Sequence, residues 1–203
     1  MIDQSVCDRC PIYNDQLLQI GVRKTHQIQP RTIPNTDRKR VLIMAECGSE
    51  PEDQQNRVLV GRSGKLIDKL MAESGLDQFN VMLSNVVKCR AIQCVDGKYK
   101  NRNPNEEEIK ACSPYLKEDW AFDPDLIIML GKSALKGVMP NRDLPRGKGV
   151  EIDVNGRTII AVHTFHPAAC LYDPRNKPEL LKHLTNAVKY LTELEKKDEL
   201  NAR

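Results

Sequence analysis

The chain lacks a dominant charge. Its 203 residues carry 31 Lys and Arg against 28 Asp and Glu, a net of +3. That balance excludes a polybasic tail protein, and it permits nucleic-acid contact without demanding it. The chain also lacks any apolar run near the roughly 20 residues that a membrane-spanning helix needs. Its first residues, Met1-Ile2-Asp3-Gln4, lack the basic-then-apolar pattern of a secretion signal. No internal repeat is visible. The expectation is a cytoplasmic, monomeric protein with no membrane partner. The cysteines lack an even count: there are seven. In an intracellular protein such residues act more often as metal ligands or buried thiols than as disulfides. A chain of this length suits one sizeable core, so a single domain over 1–203 is expected.

Residues 1–39 show little periodicity and hold Cys7 and Cys10, so this arm needs an external tie. Arg40-Val41-Leu42-Ile43-Met44 has the short apolar run of a buried strand. A polar loop over 46–56 follows, and 61–75 has helical periodicity with Leu66, Ile67, Leu70 and Met71 on one face. A second strand covers 81–87. The polar stretch 90–104, with Asp96-Gly97 as a turn, is expected to be an exposed loop. Asn105 suits an N-cap for a helix to about Lys117, with acids in its first turn. A third buried strand over 125–130 leads into Gly131-Lys132-Ser133-Ala134, a helix start. Asn155-Gly156 predicts a type I′ hairpin turn. A strand over 158–162 ends just before His166, and Pro178 opens a final amphipathic helix. Alternating strands and helices predict a three-layer α/β/α fold around a mostly parallel four-stranded sheet. In such folds ligands sit beyond the carboxyl ends of the strands. The loops 45–60, 84–90, 131–133 and 163–175 therefore converge on one site.

Four cysteines stand out. Cys7 and Cys10 are two residues apart, Cys89 ends a strand, and Cys112 lies in the returning helix. Four thiolates can close a zinc site or hold a [4Fe–4S] cluster, and spacing alone does not separate the two. Cys94 competes with Cys89 as third ligand. Cys89 is preferred because a strand end fixes its position. Cys170 reads as a buried thiol, and so does Cys47 as far as its residue type alone goes.

At this point the chain resembles the iron–sulfur, family 4 members of the uracil-DNA glycosylase superfamily. The resemblance rests on the Cys-x-x-Cys start, Glu50-Pro51-Glu52-Asp53, 60–68, Ser84-Asn85-Val86-Val87-Lys88-Cys89-Arg90, 108–116, Leu130-Gly131-Lys132-Ser133-Ala134 and Thr164-Phe165-His166-Pro167-Ala168. It implies that Cys7, Cys10, Cys89 and Cys112 hold a [4Fe–4S] cluster. It also implies a hydrolase that flips a pyrimidine out of DNA and cuts its N-glycosidic bond, a DNA-repair activity. The chain departs from the family pattern in three places. The first motif is Ala45-Glu46-Cys47-Gly48-Ser49, which keeps only the glutamate of Gly-Glu-Ala-Pro-Gly. Leu59 stands where the family places a phenylalanine that stacks on the base, and Ala168 ends a motif that is usually His-Pro-Ser. The loop between Cys89 and Cys112 is also longer than is usual in the family.

The chemistry names its own candidates. As the base leaves, charge builds on its oxygen, and His166 can donate there. Asn85 offers one donor and one acceptor to an imide edge. Glu46, with the backbone of Cys47 and Gly48, can orient a water and favour the positive sugar. Leu59 contacts the extruded base. DNA phosphates are expected at Lys132 and Ser133, at Arg146 and Lys148, and at Arg175, with Leu171 as a wedge in the base stack. Three readings follow: excision of uracil, excision of a modified uracil or thymine, or a glycosylase fold kept as a DNA-binding or partner-binding module with weak or no catalysis.

Overall fold

The computed structural model describes residues 7, 8, 10–12 and 27–201, so the arm reading falls mostly outside the described residues. The sheet has six strands, where four are predicted. The four predicted strands are its parallel centre: β2 (Arg40–Ala45), β3 (Asn80–Asn85), β6 (Leu126–Leu130) and β8 (Arg157–Thr164). Two antiparallel edges complete it, β1 (Gln29–Pro30) on β3 and β7 (Gly149–Val154) on β8. The order across the sheet is β1-β3-β2-β6-β8-β7. A two-residue β1 carries no periodic signal, and β7 alternates weakly because it lies at an edge. The β7–β8 turn has Asn155 at φ +55° and Gly156 at φ +81°. Positive φ at both positions is the backbone that the Asn-Gly pair predicts.

β2 and β6 are apolar without alternation because helices cover both faces. Val41, Ile43 and Ala45 pack into one cluster, Leu42 and Met44 into the other. β6 divides the same way, with Leu126, Ile128 and Leu130 opposite Ile127 and Met129. On the first face lie α2 (Arg62–Ser74), α6 (Pro167–Tyr172) and α7 (Asn176–Asn201), through Ile67, Leu70, Cys170, Leu180 and Leu184. On the second lie α3 (Glu106–Cys112), α4 (Leu116–Trp120) and α5 (Gly131–Val138), through Ile109, Leu116, Ala134 and Leu135. Burying each of the Leu and Ile side chains among these stabilises the fold by about 1.5–3 kcal/mol.

Local signals set the helix ends. Asn105 caps α3 as predicted. Its Oδ1 accepts from the Glu108 N–H at 2.9 Å, and Glu108 accepts from the Asn105 N–H at 2.7 Å. This reciprocal pair is a capping box, which satisfies two amides that the first turn leaves free. The predicted 105–117 helix breaks at a 3-10 turn over Ser113–Tyr115, where Pro114 removes a donor. The 46–56 loop contains a short helix, α1 (Glu50–Gln55), with Glu52 accepting from the Ser49 N–H at 2.6 Å. The 163–175 loop contains α6. The stretch 90–104 is a β-hairpin rather than a loop: β4 (Ile92–Val95) pairs with β5 (Lys98–Asn101) around Asp96-Gly97. Its polarity hid it, because only Ile92 at its base is buried and every residue of β5 is exposed.

A buried polar triad ties α4 to β3. The Lys88 ammonium donates to Ser84 Oγ and to Asp119 Oδ2, both at 2.6 Å, and Ser84 donates to Asp119 Oδ1 at 2.8 Å. Lys88 is 3% exposed and Asp119 1%. Removing one member of a buried ion pair typically costs about 3–5 kcal/mol, because the other charge is left unpaired. Asp119→Leu is therefore expected to destabilise the fold by about 3–5 kcal/mol in urea denaturation, and adding Lys88→Met is expected to recover much of that loss. A loss below about 1 kcal/mol for Asp119→Leu would show that Lys88 is solvated in place.

Candidate active site

The chain leaves β2 toward the α2 face and leaves β6 toward the α5 face. The carboxyl ends of these neighbours therefore frame a crevice at a topological switch point. Glu46 directly follows β2, and Ser133 lies in the first turn of α5 after β6. The Ser133 hydroxyl donates across the crevice to Glu46 Oε2 at 2.5 Å. Burial raises the Glu46 carboxyl above the ordinary carboxylate value, and the Ser133 hydrogen bond offsets part of that rise.

The 46–48 segment runs beside the chain after β3. The Val86 and Val87 amides donate to the Ala45 and Glu46 carbonyls at 3.0 Å each, and Gly48 bridges in parallel to Arg90. This brings Asn85, the last residue of β3, alongside Glu46. Asn85 is 1% exposed, and its Nδ2 has no hydrogen-bond partner among the described residues. Gly48 is buried, whereas Cys47 is half-buried. The Cys47 thiol is pushed up to about 12, first by burial and then by the Glu46 charge. It is therefore a neutral lining group and a poor nucleophile.

His166 enters from β8. It is the N-cap of α6, followed by Pro167, and its Nδ1 accepts from the Ala168 N–H at 3.2 Å. It also packs against the start of α5, where Gly131 adopts φ +86° and a Cβ would lie 3.1 Å from His166 Cβ. Desolvation lowers its pKa to about 4, so the imidazole is neutral near pH 7. An accepting Nδ1 on a neutral ring places the proton on Nε2. The site thus presents one neutral N–H donor from this side chain.

Leu59 lies between α1 and α2 with φ +53°. That is the left-handed region, which costs a branched residue on the order of 1–3 kcal/mol. Three things hold it. Its side chain is buried, its carbonyl accepts from Arg31 Nη2 at 3.1 Å, and Gly64 leaves room for that carbonyl, since a Cβ there would lie 1.6 Å from it.

The predicted phosphate contacts differ in their freedom. Lys132 and Lys148 are exposed. Ser133 is committed to Glu46. Arg146 stacks over Phe165 at 4.3 Å from the ring centroid, a cation–π contact. The other stacking partner of Phe165 is the His183 ring, with centroids 6.1 Å apart and planes 2° from parallel. These ring contacts lie next to His166 and require Gly147 at φ +72°, where a Cβ would lie 1.9 Å from His183. Arg175 is bound by Asp173 through two 2.9 Å bonds, so a phosphate would have to displace that carboxylate. Leu171 is 37% exposed, and its neighbour Tyr172 is 91% exposed. Sequence reasoning missed the Phe165 ring contacts, the Arg31 clamp and the Lys88 triad. Only Phe165, next to His166, carried a signal, since a buried lysine is rare and leaves no periodic trace.

The four predicted ligand cysteines come together on the other side of β3. Cys7, Cys10, Cys89 and Cys112 are all buried in one cluster, where Cys94 is exposed on β4. Cys7 Sγ lies 2.9 Å from the Tyr115 hydroxyl, and Cys112 Sγ accepts from the Lys88 N–H at 3.3 Å. Burial pushes the Cys112 thiol up to about 12 and raises Cys89 as well, and the negative forms of the neighbouring thiols add to both shifts. Such sulfurs fit a cationic centre, which would stabilise the thiolates that burial disfavours. Among the described residues, no three His, Cys, Asp or Glu side chains gather tightly enough to hold a single metal ion.

The model of the Uracil DNA glycosylase superfamily matches residues 34–192. The chain belongs to that superfamily. The Type-4 uracil-DNA glycosylase of Sulfurisphaera tokodaii is 34% identical over 164 residues, which is 74% of this chain and 70% of the relative. That of Saccharolobus solfataricus is 30% identical over 178 residues, 82% of this chain and 79% of the relative. That of Archaeoglobus fulgidus is 29% identical over 164 residues, 76% and 79%. The match spans the switch-point crevice from Glu46 to His166, and it leaves Cys7 and Cys10 outside.

The state of His166 has a direct consequence. Free histidine titrates near 6.5. A folded value of about 4 means that the stability it contributes is fully present above roughly pH 6.5 and is lost as pH falls through 6.5 toward 4. Nitrogen-15 NMR is expected to show a neutral Nε2–H ring for His166 at pH 6. A charged ring at that pH would overturn the assignment of a neutral donor.

Proposed function

We propose that this glycosylase excises uracil from DNA. The observation that carries the reading is the buried Nδ2 of Asn85 beside Glu46, which has no hydrogen-bond partner among the described residues. An unpaired buried amide donor costs about 1–3 kcal/mol. A flipped uracil removes that cost: O4 accepts from Nδ2, and N3–H donates to Oδ1. The named activity of the relatives supports the same substrate.

The residues divide the work. The C1′–N1 bond breaks, and its electron pair leaves with the base as an anion centred on O2. His166 Nε2–H donates to that oxygen. A neutral donor near pH 7 suits a site that must not protonate earlier groups, and it acts on charge that exists only as the bond breaks. Glu46 in its carboxylate form orients a water toward C1′, accepts its proton and favours the cationic sugar, while the Ser133 hydroxyl holds that carboxylate in place. Lys132, Arg146 and Lys148 bind flanking phosphates, and Leu171 enters the gap in the stack. Leu59 packs against the base without a flat ring. Its strained backbone favours a reshaped pocket, which keeps a 5-substituted uracil as a second substrate to test.

Single-turnover assays on duplexes carrying uracil, 5-substituted uracil or thymine, followed by alkaline cleavage, test the proposal. Uracil release is expected for the wild type. His166→Ala is expected to slow it by about 100- to 1000-fold while DNA affinity stays within a few-fold, because phosphates supply most of the binding. A wild type that releases no base would leave the non-catalytic module as the better reading.

The resemblance to the iron–sulfur family 4 enzymes, together with the burial of Cys7, Cys10, Cys89 and Cys112 in one cluster, supports a [4Fe–4S] cluster on these four residues. Bound there, the cluster would supply a rigid tie between Cys7 and Cys10, the segment after β3 and α3. Anaerobically purified protein is expected to contain four irons and four sulfides per chain. Cys7→Ser is expected to lose them, whereas Cys94→Ser is expected to keep them. Stoichiometric zinc without iron would reject the cluster.

A further inference from the structure

We infer that the β4–β5 hairpin is a second DNA contact, which binds the phosphate backbone through Lys98 and Lys100 on the β3 flank of the crevice. The inference rests on the glycosylase reading for its substrate. In antiparallel pairing, Lys98 faces Val95 and Lys100 faces Gln93. Both lysines therefore share one face of the ribbon, and Tyr99 with Cys94 takes the other. Every residue of β5 is exposed. No carboxylate pairs with Lys98 or Lys100 among the described residues, although most other cations near the crevice base have partners: Arg90 with Glu50, Arg102 with Glu108, Lys136 with Glu106.

The ribbon is rigidly rooted. Arg102 donates its N–H to Ala91 and its Nε to Ile92, each at 3.0 Å, and its guanidinium clamps Glu108 Oε1 at 2.5 Å. Arg90 Nε donates to Asn101 Oδ1 at 2.6 Å, and the same Arg90 bridges to Gly48. Asp96 and Gly97 close the turn at φ +54° and +71°. The base of the hairpin is thus fused to the 46–48 loop of the active site. Two like charges held on one face of an ordered ribbon repel each other unless something negative lies against them. The strand beside a flipped nucleotide provides that charge at regular spacing. The contacts at Lys132, Arg146 and Lys148 lie toward the β6 and β8 side, so the hairpin would grip the duplex from the opposite side of the flipped base. Lysines on exposed strands also guard against edge-to-edge aggregation, and this alternative predicts a different outcome.

The test measures affinity for a duplex carrying a non-cleavable abasic analogue across a salt series, with the full chain. The variant is Lys98→Gln/Lys100→Gln. The control, Lys196→Gln/Lys197→Gln, removes the same charge from exposed sites near the end of α7, where Asp198 pairs with Lys39 at the start of β2, away from the crevice. Loss of two phosphate contacts is expected to flatten the slope of log K against log salt by up to about 1.8 and to weaken binding by roughly tenfold near 0.1 M salt. The control is expected to match the wild type. A hairpin variant that keeps the wild-type affinity and slope overturns the inference, and so does one that only aggregates more readily or behaves like the control. Uracil release by the wild type, measured in parallel, separates the two claims. Release together with an unchanged hairpin variant rejects the inference alone. No release together with a weakened hairpin variant rejects the glycosylase reading alone.

Discussion

Burial of β2 and β6 on both faces is the constraint from which the site follows. Two strands with helices above and below leave no side chain free for polar chemistry along their length. Polar groups must gather where these strands end, and the chain then turns to opposite faces. The crevice between those turns receives Glu46 from one side and Ser133 from the other. A hydroxyl-to-carboxylate bond closes the gap between two segments 87 residues apart. Asn85 and His166 reach the same place because β3 and β8 run parallel to β2 and β6.

The site gathers groups whose ordinary states are costly where they lie. Glu46 is a desolvated carboxylate, His166 a histidine held neutral, Asn85 an amide whose Nδ2 is unpaired among the described residues, and Leu59 a branched residue at positive φ. The strained Leu59 backbone and the unpaired Asn85 donor each cost about 1–3 kcal/mol, and the packed frame behind them sustains that cost. The Lys88–Asp119–Ser84 triad and the cysteine cluster stiffen the frame on the β3 side. The Phe165 ring contacts with Arg146 and His183 stiffen it beside His166. The proposed hairpin contact follows the same logic: an ordered, exposed, cationic ribbon is stabilised when a counter-charge arrives from outside.

Much was legible in the sequence, for identifiable reasons. Continuous apolar runs at 41–44 and 126–130 showed strands buried twice. Asn105 followed by Glu108 gave a helix start, and Asn155-Gly156 gave a hairpin. The motif residues Asn85 and His166 lay at strand ends, which pointed to one crevice. The edge strands β1 and β7 were not legible, because an edge strand has half the burial and little pattern. Neither was the β4–β5 hairpin, which buries only Ile92 and exposes all of β5, nor the break at Ser113–Tyr115, where Pro114 outweighs helical periodicity.

The sequence by itself determined the layer architecture, the succession of strands and helices along the chain, and the identity of the groups that meet. Those depend on local propensity and on apolar period, and both are written residue by residue. Only the tertiary structure decided the states of those groups. The tautomer of His166 depends on the Ala168 amide, the raised carboxyl of Glu46 on its burial, and the unpaired donor of Asn85 on which of the described residues reach it. The sequence preferred Cys89 over Cys94 as a strand end, but β3 stops at Asn85; what separates the two is that the fold buries Cys89 and exposes Cys94. Protonation, strain and partnership arise from distances between segments far apart in the chain, and a sequence does not carry those distances.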